Sequence, residues 1–206
     1  MKSENLNAHA FQVFNDCLKA YKKMDEKDII GLEKYWKVKH FKKRHFIFSE
    51  SDSQDVWGFI AHGSVKLIYE FGTDSQILSF LTEGSFYNMQ KDPAAALFKY
   101  NAQATEALMI ITIDRDGLTR LIEERPAFAG LFASLHENNV QFLQQRLLSL
   151  QLMDAQQRYE DLLNNFPELL NRFSLCDIAN YLGMTPETLS RIRNLYLKRS
   201  PEKLIA

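Results

Sequence analysis

Residues 175–194 read LCDIANYLGMTPETLSRIRN, from Leu175 to Asn194. Ile178, Leu182, Met184, Leu189 and Ile192 stand at the apolar positions that two short helices need to pack across each other at a steep angle. Ala179 is small where the second helix crosses the first, since a longer side chain there would push the two apart. Gly183 falls where the chain leaves the first helix, a place for a left-handed residue that glycine fills without steric cost. Thr185-Pro186-Glu187 is a helix start: a hydroxyl cap, proline at the first position and an acid near the positive end of the dipole. The spacing predicts a helix-turn-helix, whose second helix enters the DNA major groove by its first residues.

On that second helix the outward positions near the start are Pro186, Glu187, Ser190 and Arg191. Arginine pairs with guanine O6 and N7, glutamate accepts from cytosine N4, and serine is an adaptable donor or acceptor. Glu187, Ser190 and Arg191 are therefore the expected base readers. Ser174, Thr185, Pro186, Thr188, Arg193, Lys198 and Arg199 are expected to contact or position the DNA backbone. A simpler role for Glu187 is to favour the helix dipole or to orient Arg191 one turn on, and both roles are compatible.

Charge supports an anionic partner only once it is divided along the chain. The 206 residues carry a net charge of −1, but residues 171–206 carry +3 and the remainder −4. The excess positive charge lies on the segment that holds the helix pair.

Upstream, Pro126 opens a helical pattern that runs to about Leu152. Phe128, Leu131, Phe132 and Leu135 form a broad apolar face, and Val140, Leu143, Leu147 and Leu150 follow at the 3-4-3 spacing of a two-stranded coil. Two stripes on one helix predict two partners, the chain's own β domain and a second copy of the chain. The alternative is a helix packed on its own domain alone.

Between Phe41 and about Asp114 the apolar period is two: Phe46/Phe48, Trp57/Phe59/Ala61, Val65/Leu67/Tyr69/Phe71 and Leu108/Ile110. Turns are expected at 49–54, 62–64 and 72–75, and a short helix at Asp92–Phe98. A small antiparallel barrel or sandwich follows. Before it, Phe11, Phe14, Leu18 and Tyr21 predict one helix. Ile29, Leu32 and Trp36, capped near Asp25, predict a second. The expected architecture is α+β: an antiparallel β-barrel domain with N-terminal helices over 1–126, a dimerisation helix over 127–152, and an all-α helix-turn-helix domain over 153–206.

Composition narrows the classes. Hydrophobic residues make up 46% and charged residues 25%, enough for a sizeable core. No apolar run approaches the roughly 20 residues of a membrane span, and no signal core opens the chain, so a cytoplasmic protein is expected. Two cysteines, Cys17 and Cys176, cannot form a CxxC site or a four-thiolate cluster. No metal, cofactor or catalytic residue is expected.

A β-rich domain, a long dimer-forming helix and a C-terminal helix-turn-helix in this order resemble the Crp/Fnr family of bacterial transcription regulators. The resemblance runs from about Lys34 to Arg193. Glu187-Thr188-Leu189-Ser190-Arg191 looks like the family's recognition helix, and it implies base reading by Glu187 and Arg191. Ser190 before Arg191 is similar to the Fnr branch, while Pro186 stands where the Crp branch has a base-reading arginine. Phe46–Glu50 and Gly58–Lys66 resemble the first strands of the cyclic-nucleotide-binding jelly roll. The phosphate cassette does not follow. After Gly84-Ser85-Phe86-Tyr87 comes Asn88-Met89-Gln90 with no Gly-Glu pair, and Phe98-Lys99-Tyr100 stands where Arg-Ser is needed. Without the bidentate arginine a buried cyclic phosphate loses its main charge-assisted contacts, so the domain is expected to be degenerate and not responsive to cAMP.

The resemblance further implies a homodimer on a pseudo-palindromic double-stranded DNA operator, an effector of unknown identity, and RNA polymerase as a partner. Phe86, Tyr87, Met89, Phe98, Lys99 and Tyr100 are the candidate effector pocket; the same residues would equally fill a ligand-free core. The family's β-hairpin wing does not fit into Leu195–Ala206, so Lys198, Arg199 and Lys203 are expected to reach phosphates instead. One rival is a dimeric ligand-sensing or interaction module that has lost DNA binding. The other is a metal enzyme of the cupin kind, which His40, His45 and His62 fit poorly because no His-x-His motif appears.

Overall fold

The computed structural model describes residues 2–20, 24–48, 56–89 and 99–199. Tyr21, the turn at 49–54, the short helix expected at Asp92–Phe98, and Lys203 with the rest of 200–206 lie outside the described residues. The chain divides into two compact units, Met1–Asn138 and Asn139–Ala206. The division falls inside the long helix, and at neither 126 nor 152.

In the first unit, helix α1 (Lys2–Ala20) is followed by a single turn α2 (Glu26–Ile29) and eight strands: β1 (Lys37–Phe41), β2 (Phe46–Phe48), β3 (Val56–His62), β4 (Val65–Phe71), β5 (Asp74–Leu81), β6 (Phe86–Met89), β7 (Lys99–Ala104) and β8 (Leu108–Asp114). They form two antiparallel four-stranded sheets, ordered β1-β8-β3-β6 and β2-β7-β4-β5. First pairs with last, second with seventh, third with sixth and fourth with fifth. This nesting is the strand order of a double-sheet jelly roll. Among the described residues no ladder joins the two sheets, so the β domain is a pair of sheets.

Strands β3 and β8 are buried on both faces. Trp57, Phe59 and Ala61 of β3, with Met109, Ile111 and Ile113 of β8, point toward the helices. Ile60, Leu108 and Ile110 point into the space between the sheets, beside Phe48, Val65, Leu67, Ala102 and Ala104. The alternation expected for half-buried strands therefore holds for side-chain direction but not for solvent exposure. One sheet is the middle layer, and both of its faces are core.

Helix α1 covers that middle sheet with Ala10, Phe11, Phe14 and Leu18, all buried. Phe14 lies 4.8 Å from the Trp36 ring and 5.0 Å from the Phe59 ring, centroid to centroid. Each such side chain contributes about 1.5–3 kcal/mol by leaving water.

The second N-terminal helix differs from expectation. Asp25 does precede a helical turn, its N–H donating to the Asp28 carboxylate at 3.2 Å. The turn ends at Ile29, however, because Gly31 takes a left-handed conformation (φ +72°). Leu32–Lys34 form a 3₁₀ turn and Lys37 already opens β1, four residues before the expected start of the sheet. Ile29, Leu32 and Trp36 are buried as anticipated, from three different local conformations.

After β8, Asp114 caps α3 (Arg115–Glu124), accepting from the Gly117 N–H at 2.8 Å. Helix α4 spans Ala127–Leu152. Its first part carries Phe128, Leu131 and Phe132 into the helix-side core, with Phe132 4.8 Å from Trp57 and His136 edge-on to the same indole at 5.0 Å. In the second unit α5 (Ala155–Asn165), α6 (Leu169–Arg172), α7 (Leu175–Tyr181) and α8 (Pro186–Arg199) follow. Asp154 caps α5 by accepting from the Gln157 N–H at 2.9 Å, while Gln157 accepts in return from the Asp154 N–H. No helix among the described residues is long and apolar enough to cross a membrane.

Candidate nucleic-acid interface

Helices α7 and α8 are joined by a tight turn whose hydrogen bonds follow from its sequence. Met184 N–H donates to the Ala179 carbonyl and Gly183 N–H to the Asn180 carbonyl, both at 3.0 Å. These are the paired bonds of a Schellman cap, with Gly183 at φ +65° as its left-handed residue. The next helix starts at once: the Thr185 hydroxyl accepts from the Thr188 N–H at 3.2 Å, and Pro186 needs no partner for a missing N–H. Ile178, Ala179, Leu182, Leu189 and Ile192 are buried, and Met184 is half-buried. Gly183→Ala is expected to lower stability by about 1–2 kcal/mol for the left-handed backbone, since its new Cβ would also lie 3.1 Å from Leu150 Cδ2. A thermal melt of the variant checks this.

The outer face of α8 gathers Pro186, Glu187, Ser190 and Arg191 around one shallow concavity, together with Asn194 and Leu195. The first four are exposed, as their positions on the helix require. Asn194 and Leu195 extend the face by another turn and were not anticipated; the i+4 spacing from Ser190 and Arg191 was the available signal. The Glu187 carboxyl is held below its ordinary range, first by its own backbone N–H and then by the Thr185 hydroxyl. Its contacts thus reach back to the helix start rather than forward to Arg191.

The residues expected at the DNA backbone are placed unevenly. Ser174 caps α7, accepting from the Asp177 N–H at 3.1 Å and donating to the Asp177 carboxylate at 2.7 Å. Thr188 is half-buried under the Thr185 hydroxyl, which lies 3.2 Å from its own. Arg193 is half-buried and hydrogen-bonds the Tyr159 phenol, whose ionisation is pushed up by burial and drawn back by that guanidinium. Arg193 therefore belongs to the packing of α5 against α8. Lys198 and Arg199 lie in the last turn of α8, so Leu195–Arg199 continues the helix.

Arg158 had no signal in the sequence. From α5 its Nε donates to the Leu182 carbonyl at 2.7 Å and its Nη1 to the Met153 carbonyl at 2.6 Å, with Nη2 3.4 Å from the Gly183 carbonyl. One guanidinium thus ties the residue after α4 to the turn between α7 and α8.

On α4, Val140, Leu143, Leu147 and Leu150 are 52%, 38%, 55% and 41% exposed, and Leu148 and Leu152 are exposed beside them. An apolar row of this length in water is unusual for an isolated chain.

The candidate effector residues do not share one space. Successive side chains of β6 point to opposite faces: Phe86 packs with Phe14 and Phe59 under the helices, whereas Tyr87 is buried between the sheets. Gly58 makes room for that ring, since a Cβ there would sit 1.9 Å from Tyr87 Cζ. Tyr100 stacks on Tyr69 at 4.8 Å and lies 5.9 Å from Phe48. Burial raises the ionisation of both Tyr87 and Tyr100 far above the ordinary phenol range. Met89 and Lys99 are placed only as strand residues, and Phe98 lies outside the described residues. The histidines of the cupin reading are dispersed as well: His40 is 3.1 Å from the Asn7 amide oxygen, and His62 lies 3.7 Å from Glu83. Among the described residues no cluster of three metal-ligating side chains occurs.

Residues 38–125 match the model of the cyclic nucleotide-binding domain. Over 173 residues the chain is 28% identical to the anaerobic regulatory protein of Haemophilus influenzae, a match covering 78% of this chain and 66% of that protein, just under two thirds of its length. It is 25% identical over 181 residues to the nitrogen fixation regulation protein FixK of Bradyrhizobium diazoefficiens, covering 82% of this chain and 75% of that one. The structure of FixK2 from Bradyrhizobium japonicum superposes with a TM-score of 0.69 at 20% identity, over 80% of this chain and 86% of that chain. That last likeness concerns the fold. By sequence the chain is similar, along most of its own length, to these regulatory proteins, and residues 38–125 of it carry the cyclic nucleotide-binding domain match.

Proposed function

We propose that this chain is a homodimeric, sequence-specific DNA-binding transcription regulator of Crp/Fnr type, acting in the cytoplasm. The observation that carries the reading is the exposed row Glu187, Ser190 and Arg191 on α8, presented by a helix pair whose other face is buried. In this reading α7 and α8 are the helix-turn-helix and α8 lies in the major groove. Arg191 forks onto a guanine, Glu187 accepts from a cytosine amino group, and Ser190 adjusts to the neighbouring base. Asn194 is placed to meet the next base or phosphate along the groove. Ser174, Thr185, Pro186 and Thr188 set the approach, Arg193 braces the helix, and Lys198 and Arg199 supply charge for the backbone.

The exposed row of α4 joins two copies as a coiled coil and sets their recognition helices about one DNA turn, roughly 34 Å, apart. An effector of unknown identity acts on the first unit, and RNA polymerase is the partner through which the bound dimer acts on transcription. A genome-wide map of bound sites tests the reading, with enrichment expected at short inverted repeats. A map without enriched sites favours the second reading, a dimeric module that has lost DNA binding.

The sensory domain is proposed to have lost cyclic-nucleotide recognition. It offers Asn88-Met89-Gln90 and Phe98-Lys99-Tyr100 where the cassette needs Gly-Glu and Arg-Ser, and Tyr87 and Tyr100 fill the space between the sheets. Calorimetric titration with cAMP and cGMP is expected to show no tight binding; a micromolar dissociation constant for either contradicts this.

A further inference from the structure

Within the second unit, a small cavity of about 70 Å³ lies among α4, α5 and α7, lined by Phe142, Gln145, Arg146, Ser149, Arg158 and Tyr181. That is room for several waters or one small anion. Phe142, Gln145 and Ser149 lie on the side of α4 away from Val140, Leu143 and Leu147, whereas Arg146 borders the row as the i, i+4 neighbour of Leu150.

Arg146 dominates the cavity. It is only 8% exposed, and its guanidinium lies over the Tyr181 ring at 4.0 Å. Among the described residues it has no carboxylate within ion-pair distance and no hydrogen-bond acceptor. A second charge of the same sign, Arg158, lines the same cavity; burial first and then the field of Arg158 weaken the proton affinity of Arg146, against an opposing pull from Tyr181. Asp161 also reaches the wall, but its carboxylate accepts from Asn165 Nδ2 at 2.8 Å. A planar fork of donors with no ion-pair partner among the described residues, on a residue only 8% exposed and facing the cavity beside a second guanidinium and the polar ends of Gln145 and Ser149, is complementary to an oxyanion.

We propose that this cavity binds a small oxyanion, of the size of phosphate, nitrate or a short carboxylate, with Arg146 as its bidentate anchor and Arg158 as the second positive charge. Occupancy would brace the end of α4 against the turn between α7 and α8, because Arg146 stacks on α7 and Arg158 holds the Met153 and Leu182 carbonyls. Any effect on DNA affinity rests on the function proposed above and is reciprocal with it; the binding site itself does not.

The test is a titration of the full chain with sodium phosphate, sodium nitrate or sodium acetate against sodium chloride at constant ionic strength, followed by calorimetry and amide chemical shifts. At least one of the three is expected to bind saturably and to shift the amides of Ser149, Tyr181 and Leu182. Arg146→Gln is expected to weaken that binding at least tenfold. Arg146→Lys, which keeps the stem and charge but loses the fork, is expected to weaken it several-fold, and it serves where the glutamine variant does not fold. Absence of saturable binding by all three overturns the proposal, as do unchanged affinity in both variants or shifts confined to Pro186–Asn194. DNA plays no part in this readout, so its failure leaves the DNA-binding reading standing.

Discussion

Leu143→Glu combined with Leu147→Glu is expected to yield a folded monomer that has lost operator binding. Both side chains are exposed in the single chain, so the change removes no intrachain core contact and should barely move the melting temperature of the chain itself. In a coiled-coil dimer the same positions are buried knobs, and two facing glutamate pairs would be desolvated beside like charge. Loss of the partner converts a two-site attachment into a one-site one. Linked binding of this kind exceeds the single-site affinity by about 10²–10⁴-fold, and the loss should be of that size. Sedimentation checks the mass and fluorescence anisotropy the affinity. A variant that remains dimeric would show that α4 is not the seam.

The parts of the fold legible from the sequence were those decided by neighbouring residues. The turn between α7 and α8 is written in Gly183, Thr185 and Pro186, and each occupies its expected position because capping is a matter of a few adjacent backbone groups. The upstream face of α4 was legible for a similar reason, since Phe128, Leu131 and Phe132 share one helical face. What was hidden depended on contacts distant in sequence. Lys37-Val38-Lys39-His40-Phe41 carries little apolar signal, yet it is a strand because β8 lies alongside to take its hydrogen bonds. Ile29 to Trp36 has helical spacing, but a left-handed Gly31 breaks it, and burial of the same three apolar residues does not require a helix.

The candidate site divides along the same line. The outer face of α8 follows from helical periodicity and was readable to within one turn. Arg158 acts on carbonyls 24 and 25 positions away, and Arg193 turns toward Tyr159 on another helix. Neither fact has a local cause. The aromatic cassette residues looked like one cluster because they are close in sequence, but the pleat sends Phe86 and Tyr87 into different cores.

Arg191→Ala is expected to cost about 1–3 kcal/mol per half-site and to relax the preference at one base pair. Arg191 is exposed, so truncation should leave the fold intact and the loss should appear only with DNA. The substitution is present in both subunits of a dimer, so a symmetric operator should lose the contribution twice. The loss should depend on the identity of that base pair, because removal of a base contact erases discrimination whereas removal of a phosphate contact weakens all sequences alike. Lys198→Ala provides the contrast, with a uniform loss and a shallower salt dependence. Equal affinity of Arg191→Ala for the operator at fixed salt would remove Arg191 from the base-reading set.

The most direct measurement is a gel-shift titration of the full chain on genomic fragments at several salt concentrations. The account predicts that a minority of fragments containing inverted repeats bind as dimer complexes, with affinity falling linearly in log–log form as salt rises. Absence of salt-sensitive binding to any fragment, by a chain shown to be folded and dimeric, would contradict it.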